Sequence, residues 1–420
     1  MMVNGVFSYI QQTKPILRGL LAYLLRSITR FSPRSKRKWL FGSIYGTFKD
    51  NPKYLFYWAN EKHPEIRPIW IGRQKDEIAF LREKGFEAFH WLSLGGIFHA
   101  LTSKVYVCDH QIGDINKYLS GGAYYVNLWH GASVKRVKWQ APSYYVRFYN
   151  LKNEGEMRTS IRFRLSEYTD LFVVPDFCLA PSEIHAREFF APMMDIPVSK
   201  CVVGVYPRSR LLLGGKERAL EFVKMYESNE TLTFIDQLSR YEKVYIYMPT
   251  WRNSHRDFIA QSGISWKKLD KLMKDKNEIF VLKLHPFTKI DVDGLSNYDN
   301  ILLYPSVCDV YTILPFVDCL ITDYSSIYTD FLMMNKEIIL FVFDYEEYLS
   351  CSYELSDYAT YFVGKKVYDF EQLFDVLNSE EDCRVPPTKY DFLMEFFWSS
   401  NRNKIDLIDK IENSLFRDCI

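Results

Sequence analysis

Strand-like apolar runs alternate with helical patterns along this chain in two separate series. That alternation restricts the fold more than any other feature. The first series of runs lies at 39–44, 67–71, 105–108, 124–129, 171–174 and 201–206. The second lies at 244–248, 279–284, 301–304, 319–322 and 338–343. Helical periodicity fills the gaps, at 52–62, 76–84, 93–103 and 182–190, then at 231–240, 265–274, 308–316 and 325–334. Strands that take turns with helices form parallel sheets covered on both faces. The expected fold is therefore α/β, with two doubly wound Rossmann-type domains at 39–206 and 207–420, the second ending in C-terminal helices. No internal repeat is visible. At 48% hydrophobic residues, the 420-residue chain can bury two such cores.

The first 38 residues stand apart. They hold Lys14, Arg18, Arg26, Arg30, Arg34, Lys36, Arg37 and Lys38, and no acid precedes Asp50. Ile16, Leu17, Leu20, Leu21, Leu24, Leu25 and Ile28 recur among these bases. The uncharged stretch is shorter than the ~20 residues that cross a bilayer, and no small-residue cleavage site follows it. The pattern predicts a basic amphipathic helix lying on an anionic membrane surface, followed by a polybasic cluster at 34–38. A core helix at a domain edge has the same periodicity. Residues 135–164 carry eight basic side chains against Glu154 and Glu156, interleaved with aromatics, which also suits a lipid headgroup surface. Net charge is only +1, so nothing in the overall balance draws the chain to nucleic acid. The eight cysteines show no paired spacing and read as free thiols of a reducing compartment.

In open parallel sheets, ligands gather outside the carboxyl ends of the strands. Those ends are polar here. The 124–129 run leads into His130 and Gly131, with Lys135 following; a histidine so placed suits a general base. The 244–248 run leads to Arg252, and the 279–284 run contains Lys283 and ends at His285. The 319–322 run closes on Thr322, Asp323, Tyr324, Ser325 and Ser326, just before an apolar helix. Cations neutralise phosphate, and hydroxyls with free helix N–H groups orient it. Taken alone, Thr322 or Ser325 is equally a helix cap. Arg208 stands at the presumed hinge. No phosphate-loop, dinucleotide-binding glycine or zinc-protease motif occurs, and no metal or cofactor is expected.

Taken in order, Trp129-His130-Gly131 with Lys135, Pro207-Arg208, Pro249-Thr250-Trp251-Arg252, Lys283-Leu284-His285-Pro286 and Thr322-Asp323-Tyr324-Ser325-Ser326 resemble the CDP-glycerol glycerophosphotransferase family of teichoic-acid and capsule synthesis. Gly42 to Gly46, with Asp50-Asn51-Pro52, resembles its entry motif, and Phe343 to Glu347 a later one. The resemblance implies a GT-B-like pair of domains with a cleft between, acting at the cytoplasmic face of the cell membrane as a peripheral protein. It implies transfer of glycerol or ribitol phosphate from a CDP-polyol to a polyprenyl-diphosphate-linked or other lipid-linked acceptor, with release of CMP. On that basis His130 and His285 are the catalytic candidates. Arg252, Lys283, His285, Thr322, Asp323, Ser325, Ser326 and Arg208 would bind the donor, and Gly131 and Lys135 would lie on the acceptor side. Ala132-Ser133 stand where the family often has Thr-Pro, and Ser209-Arg210 where it often has Asn-Asp. A nucleotide-sugar glycosyltransferase of the same fold is the alternative.

Overall fold

The computed structural model describes residues 2–132, 135–252, 258–285, 288, 294–305, 308–351, 358–399 and 406–416, with side chains from Lys14 onward except at 349–351. The chain divides into two compact units. The first comprises Met1–His130, Arg136–Arg208 and Ser399–Ile420; the second comprises Gly131–Lys135 and Ser209–Trp398.

The first unit is built on seven parallel strands: β1 (Ser35–Phe41), β2 (Arg67–Gly72), β3 (Ala88–His90), β4 (Ser103–Cys108), β5 (Tyr124–Asn127), β6 (Phe177–Ala180) and β7 (Cys201–Val203). Their order is β3-β2-β1-β4-β5-β6-β7. The second unit has β8 (Lys243–Met248), β9 (Glu278–Leu282), β10 (Ile301–Leu303), β11 (Cys319–Thr322), β12 (Glu337–Phe341) and β13 (Lys365–Val367). Their order is β10-β9-β8-β11-β12-β13, again all parallel. Both sheets run outward from a central strand in two directions, the doubly wound plan. Central strands are buried on both faces, which is why they read as continuous apolar runs; all five residues of β9 are buried. In the second sheet Tyr247, Phe280, Ile321 and Phe341 form a core with Leu269 and Met273. In the first, Leu40, Ile69, Tyr106 and Tyr125 do so with Ile112 and Ile115.

Four helices precede β5: α1 (Met2–Thr29), α2 (Asp50–Lys62), α3 (Lys75–Glu83) and α4 (Leu94–Thr102). The basic aromatic stretch folds as α5 (Pro142–Tyr149), α6 (Glu154–Thr159), α7 (Ile161–Ser166) and α8 (Tyr168–Leu171). These enclose Tyr145, Met157, Phe163 and Leu171.

Several expectations change. The run at 171–174 is not a strand: Leu171 ends α8, and Lys138 donates to the Asp170 carboxylate at 2.8 Å. The strand there is β6, a few residues later. The 308–316 pattern gives two 3-10 turns, Val310–Thr312 and Leu314–Phe316, because Pro315 cannot supply a helical N–H. The polybasic cluster at 34–38 is the entry to β1. Arg34 is not a surface charge, since its guanidinium donates to the carbonyls of Ala100, Ser103, Leu119 and Gly121. The terminal helix Leu407–Phe416, at the end of the 207–420 stretch, is grouped with the first unit, where Asp406 accepts from Trp58 Nε1 at 2.9 Å. Among the described residues, no helix is long and apolar enough to cross a membrane.

Candidate active site

Each sheet reverses direction at one switch point, between β1 and β4 in the first unit and between β8 and β11 in the second. Both are closed in the same way. In the first, Ser43 donates its hydroxyl to Asp109 Oδ2 at 2.7 Å, and Ile44 N donates to Oδ1 at 3.0 Å. In the second, Thr250 donates its hydroxyl to Asp323 Oδ1 at 2.7 Å and its own N–H to the same oxygen at 2.9 Å. A fully buried aspartate at one strand end thus ties down the loop leaving the neighbouring strand. Burial drives the Asp109 pKa well above the usual carboxylate range, and the nearby Asp50 and Asp114 charges add to this.

In the first unit His130 follows β5 on a strained turn. Trp129 has φ 52, a conformation that costs a bulky residue free energy. Three side chains hold that turn. Asn127 Oδ1 accepts from Trp129 N at 2.8 Å, Asn51 Nδ2 donates to Trp129 O at 2.8 Å, and Arg208 Nη2 donates to His130 O at 2.9 Å. Arg208 is itself fixed by Asp50 at 2.7 Å. The His130 ring stacks on Trp129, with centroids 4.3 Å apart. Its Nδ1 lies 3.1 Å from the Asp109 carbonyl, which can only accept. Nδ1 therefore carries the proton and Nε2 keeps its lone pair. Burial lowers the His130 pKa below the ordinary histidine value, against the pull of the Asp50 carboxylate. A neutral imidazole with an available Nε2 is a proton acceptor at neutral pH.

In the second unit the strand ends carry a buried ion cluster. Arg252 donates to Asp323 Oδ2 at 2.8 Å and to both oxygens of Asp344, at 2.6 and 3.0 Å. Its guanidinium also lies over the rings of Tyr324 and Tyr348, themselves stacked 3.8 Å apart. Although burial disfavours the charge, Asp323 and Asp344 hold its pKa above the usual arginine value. Arg252 is thus matched by two carboxylates, and Asp323 is enclosed among Thr250, Tyr324 N and Arg252. Thr322 donates to Met248 O at 2.8 Å, and Lys283 to Pro305 O at 3.2 Å. These four residues hold the sheet edge together. Ser325 and Ser326 are partly exposed, and His285 is exposed near Trp251.

The expected grouping is therefore rearranged. Arg208, expected with the donor residues, lies in the first unit against the His130 turn. Lys135, expected on the acceptor side, lies in the second unit, donating to Tyr348 Oη at 2.9 Å. Gly131 is buried. Asp109, Asn51, Asp344 and Tyr348 were given no role from sequence. For Asp109 a signal was present, a carboxylate directly after a buried apolar run. For Asp344 the signal was its place in the Phe343–Glu347 stretch, and only its pairing with Arg252, remote in sequence, was hidden.

The solved structure of the wall teichoic acid polymerase TagF has a like fold, with TM-score 0.65, 20% identity and 94% of each chain covered. A teichoic acid poly(glycerol phosphate) polymerase of Bacillus subtilis is 24% identical over 405 residues, 92% of this chain and 49% of that protein. The ribitol-phosphate polymerase TarL of Staphylococcus aureus is 25% identical over 205 residues, 47% of this chain and 36% of that protein. The chain spans between about a third and a half of the length of these curated relatives. A teichoic acid glycerol-phosphate transferase of S. aureus is 22% identical, with 73% of this chain and 74% of that protein covered. The model of one family, CDP-glycerol:poly(glycerophosphate) glycerophosphotransferase, matches residues 24–401, and the chain belongs to that family.

Proposed function

We propose that this chain transfers glycerol phosphate or ribitol phosphate from a CDP-polyol to a hydroxyl of a lipid-linked acceptor in teichoic acid synthesis, releasing CMP. Family membership across residues 24–401 carries the reading. Relatives named for glycerol phosphate and for ribitol phosphate both occur, so the polyol stays open between the two. A TagF structure soaked with CDPG supports a CDP-linked donor.

In this reading His130 Nε2 takes the proton of the acceptor hydroxyl. The acceptor oxygen attacks the phosphorus that bears the polyol. A new P–O bond forms, the P–O bond to CMP breaks, and CMP leaves with its electron pair. Such chemistry depends on positioning and charge neutralisation. Ser325, Ser326 and His285 are the accessible polar groups for the donor phosphates. Arg252, Asp323, Thr322 and Lys283 shape that edge, and no metal or cofactor is required. The outward apolar face of α1, with its basic neighbours, would seat the protein on an anionic membrane surface.

The test is to incubate the purified chain and acceptor-bearing membranes with CDP-glycerol or CDP-ribitol and to measure CMP. One donor should release CMP, and His130→Ala should lower the rate about 10²–10⁴-fold, the usual contribution of a general base. Release from neither donor would overturn the proposal. Full activity of the His130 variant would overturn the role of the base alone.

A further inference from the structure

The second histidine cluster of the first unit lies away from His130, where the end of α2 meets the terminal helix Leu407–Phe416. His63 caps α2 and is only 8% exposed. Its Nδ1 lies 2.6 Å from Glu65 Oε1. A carboxylate accepts, so Nδ1 carries a proton, and whenever the ring is neutral its lone pair lies at Nε2. That Nε2 is shielded from solvent and has no partner in hydrogen-bonding geometry. It nevertheless faces Asp406 Oδ1 at 3.2 Å. An Asp409 oxygen completes the group, and the three donor atoms lie within 4.8 Å of one another. A nitrogen lone pair and two carboxylates converging in this way repel one another unless a second ring proton or a metal cation lies among them; although burial disfavours the charge, Glu65 and Asp406 hold the His63 pKa above the ordinary histidine value.

We propose that His63, Asp406 and Asp409 form a site for a divalent transition-metal cation of the zinc type, joining the terminal helix to α2. Metal–nitrogen and metal–oxygen bonds of about 2.0–2.2 Å place neighbouring donors about 3.0–3.5 Å apart, which matches the His63–Asp406 separation. One imidazole with two carboxylates suits zinc and its neighbours, whereas magnesium and calcium favour all-oxygen sets. The outer groups are also in place. Glu65 orients the His63 ring, as carboxylates commonly do for metal-bound histidines. Trp58 Nε1 and Ile408 N fix the Asp406 carboxylate, at 2.9 and 2.8 Å. Asp409, three residues on from Asp406, is exposed and leaves the outer side open to water. The site is independent of the proposed transferase reaction, and its role is structural.

The experiment uses the full chain, stripped with chelator and dialysed, then titrated with zinc chloride in a calorimeter and melted with and without zinc. One equivalent should bind, and Tm should rise by several degrees. Asp409→Asn removes an exposed ligand and leaves the Trp58–Asp406 bond intact, so it should fold and lose the zinc-dependent rise. His63→Gln should lose it too. Glu65→Gln should weaken zinc binding about 10–100-fold. Absence of binding to the wild-type chain, or binding unchanged in both Asp409→Asn and His63→Gln, would overturn the proposal. The first result would leave His63–Asp406 as an ion pair; the second would place zinc elsewhere, as on cysteines. Magnesium chloride run in parallel should leave Tm unchanged, and an equal rise with magnesium would overturn the zinc-type assignment.

Discussion

The Arg252 guanidinium stands between two carboxylates and under two tyrosine rings, so its substitution tests folding before it tests chemistry. Removing one partner of a buried ion cluster leaves the others uncompensated and costs about 3–5 kcal/mol. Arg252→Ala should lower urea stability by that order. Ser325→Ala should leave stability within about 0.5 kcal/mol and raise the donor KM instead. If Arg252→Ala unfolds at the wild-type midpoint, the cluster does not hold the edge. At the His130 turn the prediction concerns pH. A base acts only when deprotonated, and burial lowers the His130 pKa. The acid limb of kcat/KM for the proposed reaction should therefore fall below pH 6.5, the ordinary histidine value. Asn51→Ala frees the Trp129 carbonyl and should cost up to about 10²-fold in kcat through misplacement of the ring. Its KM should hold and its acid limb should move toward the ordinary value as the ring gains solvent. An unchanged pH profile with lowered kcat would make Asn51 merely structural. The sequence placed His130 at a strand end because Tyr124 to Val126 are strand formers and a Gly follows the His. It could not show that Arg208 serves that turn, because the partners Asp50 and His130 lie far from it along the chain.

At the scale of elements, long apolar runs were legible because burial on both faces leaves no alternation to misread; β11 lies where the pattern put it. Of the four three-residue edge strands, β7 and β10 carry an apolar run of their own, whereas β3 and β13 lack one and escaped. The recurring hydroxyl–aspartate closure of the two switch points was equally invisible. It repeats a geometry, and the surrounding sequence does not repeat. Helix α1 shows a further limit, because the periodicity marked a face without saying which face packs. Gly19, Ala22 and Thr29 are the buried positions, and small residues there admit close approach to α7. A Cβ at Gly19 would lie 1.6 Å from the Leu165 carbonyl oxygen. Alanine normally favours a helix over glycine by about 1 kcal/mol. Gly19→Ala should nonetheless destabilise the protein and expose the amides of α7 to hydrogen exchange. Ser27→Ala, on the outward side, should be neutral or mildly stabilising. A stabilised Gly19→Ala protein would show that α1 does not dock through this contact.

For the molecule as a whole, the consequence of that packing is an inverted helix. The small residues of α1 face the protein, and Leu17, Leu21, Leu24 and Ile28 face outward, with Leu17 63% and Ile28 67% exposed. Their spacing of four, three and four residues makes one continuous stripe. Phe31 extends it, and the exposed Lys14, Arg18 and Arg30 accompany it. An apolar stripe of this length with basic neighbours fits a bilayer interface of anionic lipid. Arg26 and Arg34 are partly buried and contribute less to the surface charge than an exposed base, Arg26 bonding Ser120 and Arg34 four carbonyls. Attraction should therefore be mainly apolar, with a modest electrostatic part. Each outward leucine contributes about 1.5–3 kcal/mol when wholly buried, so Leu21→Glu with Leu24→Glu should weaken vesicle binding by well over tenfold. Co-sedimentation with phosphatidylglycerol vesicles measures this, and 0.5 M salt should weaken wild-type binding far less than the double substitution does. The variant should keep its urea midpoint nearly unchanged, since both leucines are about half exposed, at 49%. Wild-type binding retained by the variant would remove α1 from the membrane contact. A loss of self-association in its place, read by sedimentation velocity, would assign the stripe to a second copy of the chain.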